Sequence, residues 1–390
     1  GPIIGRPKSA TFRTADVVGL DVMQFVANTA YNKCENDKYR EQYVIPEKVK
    51  HLIDNEFLGQ KSGAGFYKKI DKGIIHVFDF DSMDYRPINK KRFKAIALAK
   101  EQNTLQGKLK TAIFCDDEAG DFLWALTSQS LIYCAELLGE IADDIVNIDN
   151  ALSWGFAWEK GPFKTWDMLG FDAVISKMND SDLKVPDWVL EMQSKGFSSF
   201  YKEEEGNYYY YDFKLKDYKK INLRDDQITF SSFIQRNKTI KKNWSASMID
   251  LDDGILGVEL HSILKPDFNP LDGSIVSTLE SAVRWVSDNN YKGIVISGDG
   301  PNFSAGANLN LILNAAYRKE WDLIDKMTKT MQDTFQSLRF APFPVVAAPF
   351  GFVLGGGYEI CGSCDRIVAS AESYIGLVEV GMGIIPGAGG

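Results

Sequence analysis

Two glutamates, Glu359 and Glu379, lie twenty residues apart in a glycine-rich stretch near the end of the 390-residue chain. Glu359 follows a triple glycine at residues 355–357, and Glu379 is followed by alternating glycines. Neighbouring charge and burial can make one carboxylate of a pair a proton acceptor and the other a donor. A triple glycine that opens a helix exposes backbone N–H groups where a developing oxyanion is stabilised. The pattern therefore predicts acid/base chemistry at this stretch.

A second glycine-containing segment, residues 302–308, consists largely of small residues that let the backbone approach a ligand closely. Each of the two segments is predicted to follow a buried strand, so both are expected at one edge of a sheet. One N–H group from each segment would then converge on a single carbonyl oxygen. Removal of one such donor typically lowers the rate by ~10²–10³.

The elements that must position these residues alternate between strand and helix from residue 244 to residue 390. Apolar runs predict strands, and apolar residues at helical spacing predict one helix between the second strand and the third. The strands are expected at residues 247–251, 255–260, 292–297 and 344–348, and the helix face at Ile275, Leu279, Ala282 and Val286. This order predicts an α/β domain built from ββα repeats around a largely buried sheet.

The first half of the chain is predicted to be helical and internally duplicated. Residues 12–21 match residues 163–172 without gaps, with identical Phe, Thr, Asp, Gly and Asp residues. A gap-free match of this kind favours duplication of a helical domain over coincidence. We therefore expect a first copy at residues 1–69 and a second copy at residues 92–175.

Residues 176–243 differ from both halves because they are polar and rich in tyrosine. The run at 203–211 has three glutamates followed by four tyrosines. Consecutive tyrosines can stack on the bases of single-stranded nucleic acid. The acidic flank and the net charge of −9 favour an exposed linker hairpin instead. We expect a polar linker or insert at this position.

The stretch from about residue 245 to residue 390 resembles the crotonase superfamily, and enoyl-CoA hydratases most of all. The resemblance is carried by residues 303–307, 354–360 and 376–390. It implies that Ala307 and Gly356 supply the N–H groups of an oxyanion hole and that Glu359 and Glu379 are the catalytic carboxylates.

The implied reaction is syn addition of water to a trans-2-enoyl-CoA thioester, with no metal required. Both carboxylates would orient and deprotonate the water, and Glu379 would deliver or remove the α-proton. The sequence departs from many relatives at Asn308, where they carry Asp, which bears on contacts with coenzyme A rather than on the acid/base pair.

The first half resembles the C-terminal helical domain of 3-hydroxyacyl-CoA dehydrogenases. Residues 5–21 and 61–67 carry the resemblance of the first copy, and residues 158–170 carry that of the second. In that family an NAD-binding domain precedes these copies and holds the catalytic His–Glu pair. No G-x-G-x-x-G motif follows a strand here, so we expect no NAD-binding residues in this chain.

Together the two resemblances imply a bifunctional protein of fatty-acid β-oxidation, both dehydrogenase and hydratase. Its parent would use NAD and acyl-CoA thioesters and would assemble into an oligomer. The chain begins with Gly1-Pro2 and stops within a motif at Gly390, so we interpret it as a fragment truncated at both ends, with an incomplete hydratase domain.

The amino-acid composition limits the classes of partner and the compartment expected for this protein. The acidic balance argues against nucleic acid and anionic membranes, and no apolar run approaches the length of a membrane span. Five scattered cysteines fit a reducing, cytoplasmic compartment. The CxxC pair Cys361 and Cys364 is interpreted as two packed thiols, and the three histidines are expected to have surface or packing roles.

Three alternatives to hydratase activity stay open at this point. An enoyl-CoA isomerase would use the second carboxylate without needing the first, so Glu359 favours a hydratase. A non-catalytic region for acyl-CoA docking or assembly would account for the polar insert. Phosphate binding by residues 386–390 is weakly supported, because that loop lacks the Lys-Ser/Thr of a nucleotide-binding loop.

Overall fold

The computed structural model describes residues 1–89, 91–204, 206–222, 228–263 and 265–389. The chain forms two compact units. The first comprises Gly1–Lys202 and Tyr210–Lys219, and the second comprises Glu203–Tyr209 and Lys220–Gly390. None of the helices in these described ranges is both long and apolar enough to cross a membrane.

Residues 1–202 are mainly helical. The helices are α1 Ala10–Val18, α2 Leu20–Lys33, α3 Glu47–Asp54, α4 Lys94–Lys100, α5 Leu105–Ile113, α6 Glu118–Glu136, α7 Ile145–Phe156, α8 Pro162–Leu169, α9 Phe171–Asp180 and α10 Asp187–Ser194. Strands β1 Tyr67–Asp71, β2 Ile74–Asp79 and β3 Asp84–Pro87 form an antiparallel sheet. A second three-stranded sheet contains β4 Tyr201–Glu204, β5 Asn207–Asp212 and β6 Asp217–Lys220.

Three of these helices begin at a capping side chain. Thr104, Asp117 and Asp144 cap α5, α6 and α7 by accepting N–H groups of the first turn.

The duplication seen in the sequence has a structural counterpart. Asp16 on α1 and Asp167 on α8 occupy the same position of the repeat. Asp16 accepts the backbone N–H groups of residues 66–67 at 2.8 and 2.9 Å, and Asp167 accepts those of residues 200–201 at the same distances. Each aspartate therefore ties a helix to the first strand of a three-stranded sheet. The sheet that Asp167 joins lies beyond residue 175, the predicted end of the second copy.

The predicted linker at 176–243 contains α10, all of β4–β6 and two further elements of the second unit, and its residues are divided between the two units. Tyr210 and Tyr211 are only 6% and 2% exposed, so the expectation of an exposed hairpin is wrong for them. Tyr211 stacks on Trp188 with ring centroids 6.3 Å apart, which explains why part of the tyrosine run is buried. Glu205 and residues 223–227 of this segment lie outside the described residues.

The second unit holds the remaining elements. They are α11 Phe230–Gln235, β7 Thr239–Lys242, β8 Ala246–Asp250, β9 Ile255–Leu260, α12 Gly273–Asp288, β10 Gly293–Ser297, α13 Leu309–Tyr317, α14 Trp321–Arg339, β11 Val345–Ala347, β12 Phe352–Leu354, α15 Gly356–Gly362, β13 Arg366–Ile367 and β14 Tyr374–Gly376. A six-stranded sheet has the order β13-β11-β10-β9-β8-β7, and β12 pairs with β14 in a separate parallel sheet. Strands β7 to β9 are antiparallel, and β9, β10, β11 and β13 are parallel.

The core of this unit lies between the sheet and helices α12 and α14. Ile275, Leu279 and Ala282 on α12 are fully buried together with Leu256 and Val258 on β9. The predicted strands, the predicted helix face and the ββα order are confirmed.

Strand β10 of the six-stranded sheet precedes the first glycine-containing segment, whereas β12, which precedes the second, lies in the separate sheet. The expectation that both segments lie at one edge of one sheet is therefore wrong. They meet instead through the bridge between Ser304 and Val353.

Candidate active site

The loop after β10 is held from both sides by backbone hydrogen bonds. Ser304 donates its N–H to Phe352 O at 2.9 Å and accepts the N–H of Leu354 at 2.9 Å, which joins the loop to β12. On the other side Leu271 donates its N–H to Gly306 O at 2.8 Å. Because both flanks are fixed, the backbone between Ser304 and residue 308 has a defined direction before any ligand is present.

The triple glycine lies at the turn from β12 into α15, where the backbone passes very close to its neighbours. Gly355 has φ 54° and ψ −125°, a conformation that side chains rarely adopt. A Cβ atom at Gly355 would lie 2.9 Å from Glu379 Oε1. A Cβ atom at Gly357 would lie 2.7 Å from Ser304 O. Glycines at these positions therefore let α15 begin against both the Ser304 loop and Glu379.

The N–H groups of Ala307 and Gly356 come close together at this turn. A Cβ atom built at Gly306 would be 3.4 Å from Gly356 N, and one built at Gly356 would be 3.7 Å from Ala307 N. Among the hydrogen bonds of the described residues, neither of these two N–H groups donates to a protein acceptor. Two adjacent unused donors, one of them at a helix N-terminus, form an arrangement that can hold a developing oxyanion.

Both candidate carboxylates are nearly buried beside these donors. Glu359 on α15 is 6% exposed, and its Oε1 accepts the backbone N–H of Ala388 at 2.8 Å. Its Oε2 lies 3.7 Å from the Cβ position of Gly356. Glu379 begins a 3₁₀ turn, Glu379–Met382, and is 9% exposed. Within the described part of the chain its Oε2 is buried without a hydrogen-bond partner, so it is available to a ligand or water.

A cavity of about 740 Å³, here called the carboxylate cavity, is lined by Glu359, Glu379, Ala307 and Gly356 together. Its volume lies within the usual range for small-molecule sites, about 300–1,000 Å³. The rest of its wall is mainly apolar and includes Ile324, Met331, Val378, Met382 and Ile385. The structure thus brings all four predicted site residues to one cavity with two carboxylates and two backbone donors.

Other residues singled out in the sequence lie elsewhere. Burial raises the pKa of the Cys361 and Cys364 thiols to about 12, which makes them poor nucleophiles. His261 contacts Ser247 Oγ through Nε2 at 2.7 Å, and burial lowers its pKa. None of the three histidines lines the carboxylate cavity.

The proposed phosphate loop at 386–390 uses the Ala388 N–H group to bond Glu359, while Gly390 lies outside the described residues. Asn308 caps α13 by accepting the N–H of Asn310 at 3.2 Å. In the described ranges no group of three or more His, Cys, Asp and Glu side chains is arranged to hold a metal ion.

Sequence reasoning missed three contributors to the site. Ala388 bonds Glu359, and Leu271 anchors the loop at Gly306, yet neither contact has a sequence signature because each uses a backbone N–H group that nearly any residue type supplies. The third is the α14 face that carries Ile324 and Met331. Its helical spacing of apolar residues could have identified it.

Two family models match this chain. The model for enoyl-CoA hydratase/isomerase matches residues 252–390, and the model for the 3-hydroxyacyl-CoA dehydrogenase C-terminal domain matches residues 4–69. A Bacillus subtilis protein named "Probable 3-hydroxyacyl-CoA dehydrogenase" is 41% identical over 390 residues, which is 100% of this chain and 48% of that protein. A fatty acid oxidation complex subunit alpha of Aliivibrio fischeri is 32% identical over 154 residues, 38% of this chain and 22% of that protein.

The chain spans about half the length of the curated relatives that match it from end to end. A solved enoyl-CoA hydratase from Bacillus anthracis is 26% identical and covers 37% of this chain and 55% of its own, with a TM-score of 0.33. At that TM-score the domain assignment depends on the two family models rather than on the structural similarity.

Proposed function

Because the chain combines a 3-hydroxyacyl-CoA dehydrogenase C-terminal domain with an enoyl-CoA hydratase/isomerase domain of the crotonase type, we propose that its second unit hydrates trans-2-enoyl-CoA thioesters. The observation that carries the proposal is the convergence of Glu359, Glu379 and the N–H groups of Ala307 and Gly356 on one cavity. A carboxylate pair alone would also suit other acid/base reactions. The adjacent pair of unused donors adds a site for a carbonyl oxygen that becomes negative during the reaction.

The two N–H groups would activate the thioester. Hydrogen bonds from Ala307 and Gly356 to the carbonyl oxygen withdraw electron density from the conjugated double bond, which makes the β-carbon electrophilic. When water adds there, the charge moves to the same oxygen as an enolate. The donors are fixed by the bonds of Ser304 and Leu271, so little reorganisation is needed as the charge develops.

The two carboxylates would handle the water and its protons. Glu359 is positioned by the Ala388 N–H group, and its Oε2 lies 3.7 Å from the Cβ position of Gly356, on the side where the water would bind. Glu379 takes a proton from the water as its oxygen bonds to the β-carbon. It then delivers a proton to the α-carbon, so that the elements of one water molecule are added across the double bond.

We further propose that the longer protein oxidises the 3-hydroxyacyl-CoA product with NAD. The first unit supports this proposal only through its match to the C-terminal domain of 3-hydroxyacyl-CoA dehydrogenases. Among the described residues of this unit no strand leads into a helix through a glycine-rich turn, and we assign none of them to NAD. A shared chain would raise the effective concentration of the product at the next site.

The test is hydration of crotonyl-CoA by the protein and by its Glu359→Gln and Glu379→Gln variants. Each change keeps the shape of the side chain and removes its charge, so each is expected to lower kcat by ~10²–10⁴. Hydration that survives both changes would contradict the site assignment.

The alternatives give different results in the same assay. An isomerase would lose activity with Glu379→Gln and retain it with Glu359→Gln, measured on a 3-enoyl-CoA. A docking region would bind acyl-CoA, measured by calorimetry, without turnover by any of the three proteins.

A further inference from the structure

The peptide group between Gly387 and Ala388 is held by hydrogen bonds at both of its ends. Its carbonyl oxygen, Gly387 O, accepts a hydrogen bond from Gln332 Nε2 at 2.8 Å. Its N–H group, on Ala388, donates to Glu359 Oε1, also at 2.8 Å. One peptide group therefore connects a side chain of α14 to a proposed catalytic carboxylate.

Van der Waals contacts place this peptide group, whereas the two hydrogen bonds set its direction. The Ala388 side chain is 4% exposed and belongs to the hydrophobic core of the second unit. A Cβ atom at Gly387 would lie 3.8 Å from Thr328 Cγ2, so α14 lies directly beside the loop. Because residue 387 is glycine, the peptide group can rotate with little steric resistance. Its direction therefore depends on the groups that bond its two ends.

The direction of the peptide group matters to Glu359. In the observed direction the N–H group faces the carboxylate. Rotation by half a turn would point Gly387 O at the carboxylate instead, and the two negative oxygens would repel each other. A hydrogen bond to Gly387 O also polarises the peptide group and strengthens the bond that its N–H donates. Gln332 thus favours the arrangement in which Glu359 Oε1 is held.

We propose that Gln332 is a positioning residue, which acts on Glu359 through the peptide group of Gly387 and Ala388. The proposal rests on the proposed function, because it takes Glu359 to orient the water that adds to the double bond. Gln332 lines the carboxylate cavity, and its amide is directed to Gly387 O. Without that bond, a fraction of the molecules would have a rotated peptide group and a displaced carboxylate.

The test compares Gln332→Leu and Gln332→Glu with the wild type in hydration of crotonyl-CoA. Loss of one hydrogen bond in Gln332→Leu is expected to lower kcat about 3–10-fold. KM should stay within about twofold, because the groups that hold the thioester are unchanged. Gln332→Glu keeps the shape of the side chain but presents a carboxylate to Gly387 O, so its kcat should fall further. A role in packing alone predicts the opposite order, since glutamate matches glutamine in volume.

Two comparisons separate this effect from a general disturbance of α14. Gln336→Leu makes the same change further along the helix, at an exposed side chain without a hydrogen bond in the described part of the chain, so its kcat should equal that of the wild type. Adding Gln332→Leu to Glu359→Gln should cost less activity than Gln332→Leu costs in the wild type, because the carboxylate that Gln332 positions is already absent. Additive losses would overturn the proposal.

Amide exchange tests the contact without depending on turnover. With isotope-labelled alanine, the Ala388 amide proton is expected to exchange with solvent about 3–10-fold faster in Gln332→Leu than in the wild type. Circular dichroism would establish folding, and Gln332→Glu gives the same readout should Gln332→Leu not fold. An unchanged exchange rate at Ala388 would also overturn the proposal. Absence of hydration by the wild type, with the difference in exchange present, would instead contradict the proposed function.

Discussion

The substitution Gly356→Ala is expected to lower catalytic activity strongly while it changes the stability of the protein much less. The added methyl group would lie 2.9 Å from Leu271 Cδ1, the flexible end of a side chain, and 3.7 Å from both Ala307 N and Glu359 Oε2. It would therefore occupy the space between one oxyanion donor and one carboxylate, where the thioester oxygen and the water are proposed to lie. Loss of a single donor lowers kcat by ~10²–10³, or about 2.7–4 kcal/mol of transition-state stabilisation. We expect a loss of at least that size.

The effect of Gly356→Ala on folding should be much smaller. Alanine is favoured over glycine in a helix by about 0.5–1 kcal/mol, and the close contact with Leu271 opposes this by about 1–3 kcal/mol. The two contributions together lower the free energy of unfolding by about 0–2.5 kcal/mol.

Gly362→Ala is the matched control, because it lies on the same helix α15 and a Cβ atom there meets nothing within 4 Å. Its activity should equal that of the wild type and its melting temperature should not fall. The assay follows the loss of enoyl thioester absorbance with crotonyl-CoA, alongside thermal unfolding. A Gly356→Ala protein that keeps kcat/KM within a factor of three while Gly362→Ala behaves normally would refute the assigned oxyanion site.

Two further predictions concern stability. Glu379→Gln should raise the melting temperature while it lowers kcat for hydration, because it removes a buried carboxylate whose Oε2 has no partner in the described structure. A lower melting temperature would indicate a structural role for Glu379 instead. Burial, strengthened by the charge of Asp149, raises the pKa of Asp167 to about 7, above the ordinary value of 3.8. The folded state thus binds more protons than the unfolded state between about pH 4 and pH 7, so the free energy of unfolding should fall as the pH rises through that window. Urea unfolding at pH 5 and pH 8 should show this dependence weakened in Asp167→Asn, and an unchanged dependence would exclude Asp167 as its source.

The sequence predicted the architecture of the second unit well because its strands and helices have strong apolar patterns. Strands β9 and β10 lie almost where the apolar runs placed them, and the helix face at Ile275 and Leu279 is buried. The two glycine-containing segments meet as predicted, but not at one edge of one sheet, because β12 pairs with β14 outside the six-stranded sheet. The bond from Ala388 to Glu359 was not, because a backbone donor carries no residue-type signal.

The structure was least predictable from the sequence between residues 176 and 243. Polarity and consecutive tyrosines suggested an exposed hairpin, yet Tyr211 packs on Trp188 within an aromatic cluster. Amphipathic side chains such as tyrosine give no alternation of polar and apolar residues, so period-two patterning cannot show which of them face inwards. The paired aspartates Asp16 and Asp167 were the better guide, because their shared position in the repeat marks the start of matching sheets.

The triple glycine and the buried Glu379 support the proposed catalytic role of this site over a role in ligand docking alone. A helix that opens with glycines at 356 and 357 is less stable than one that opens with alanines by about 0.5–1 kcal/mol per residue. An unpartnered buried carboxylate oxygen destabilises the fold further. A region that only docked a ligand would need neither feature. A site that must bring two N–H groups and two carboxylates around one carbonyl needs both, since any side chain at Gly355 would collide with Glu379 and any at Gly357 with Ser304.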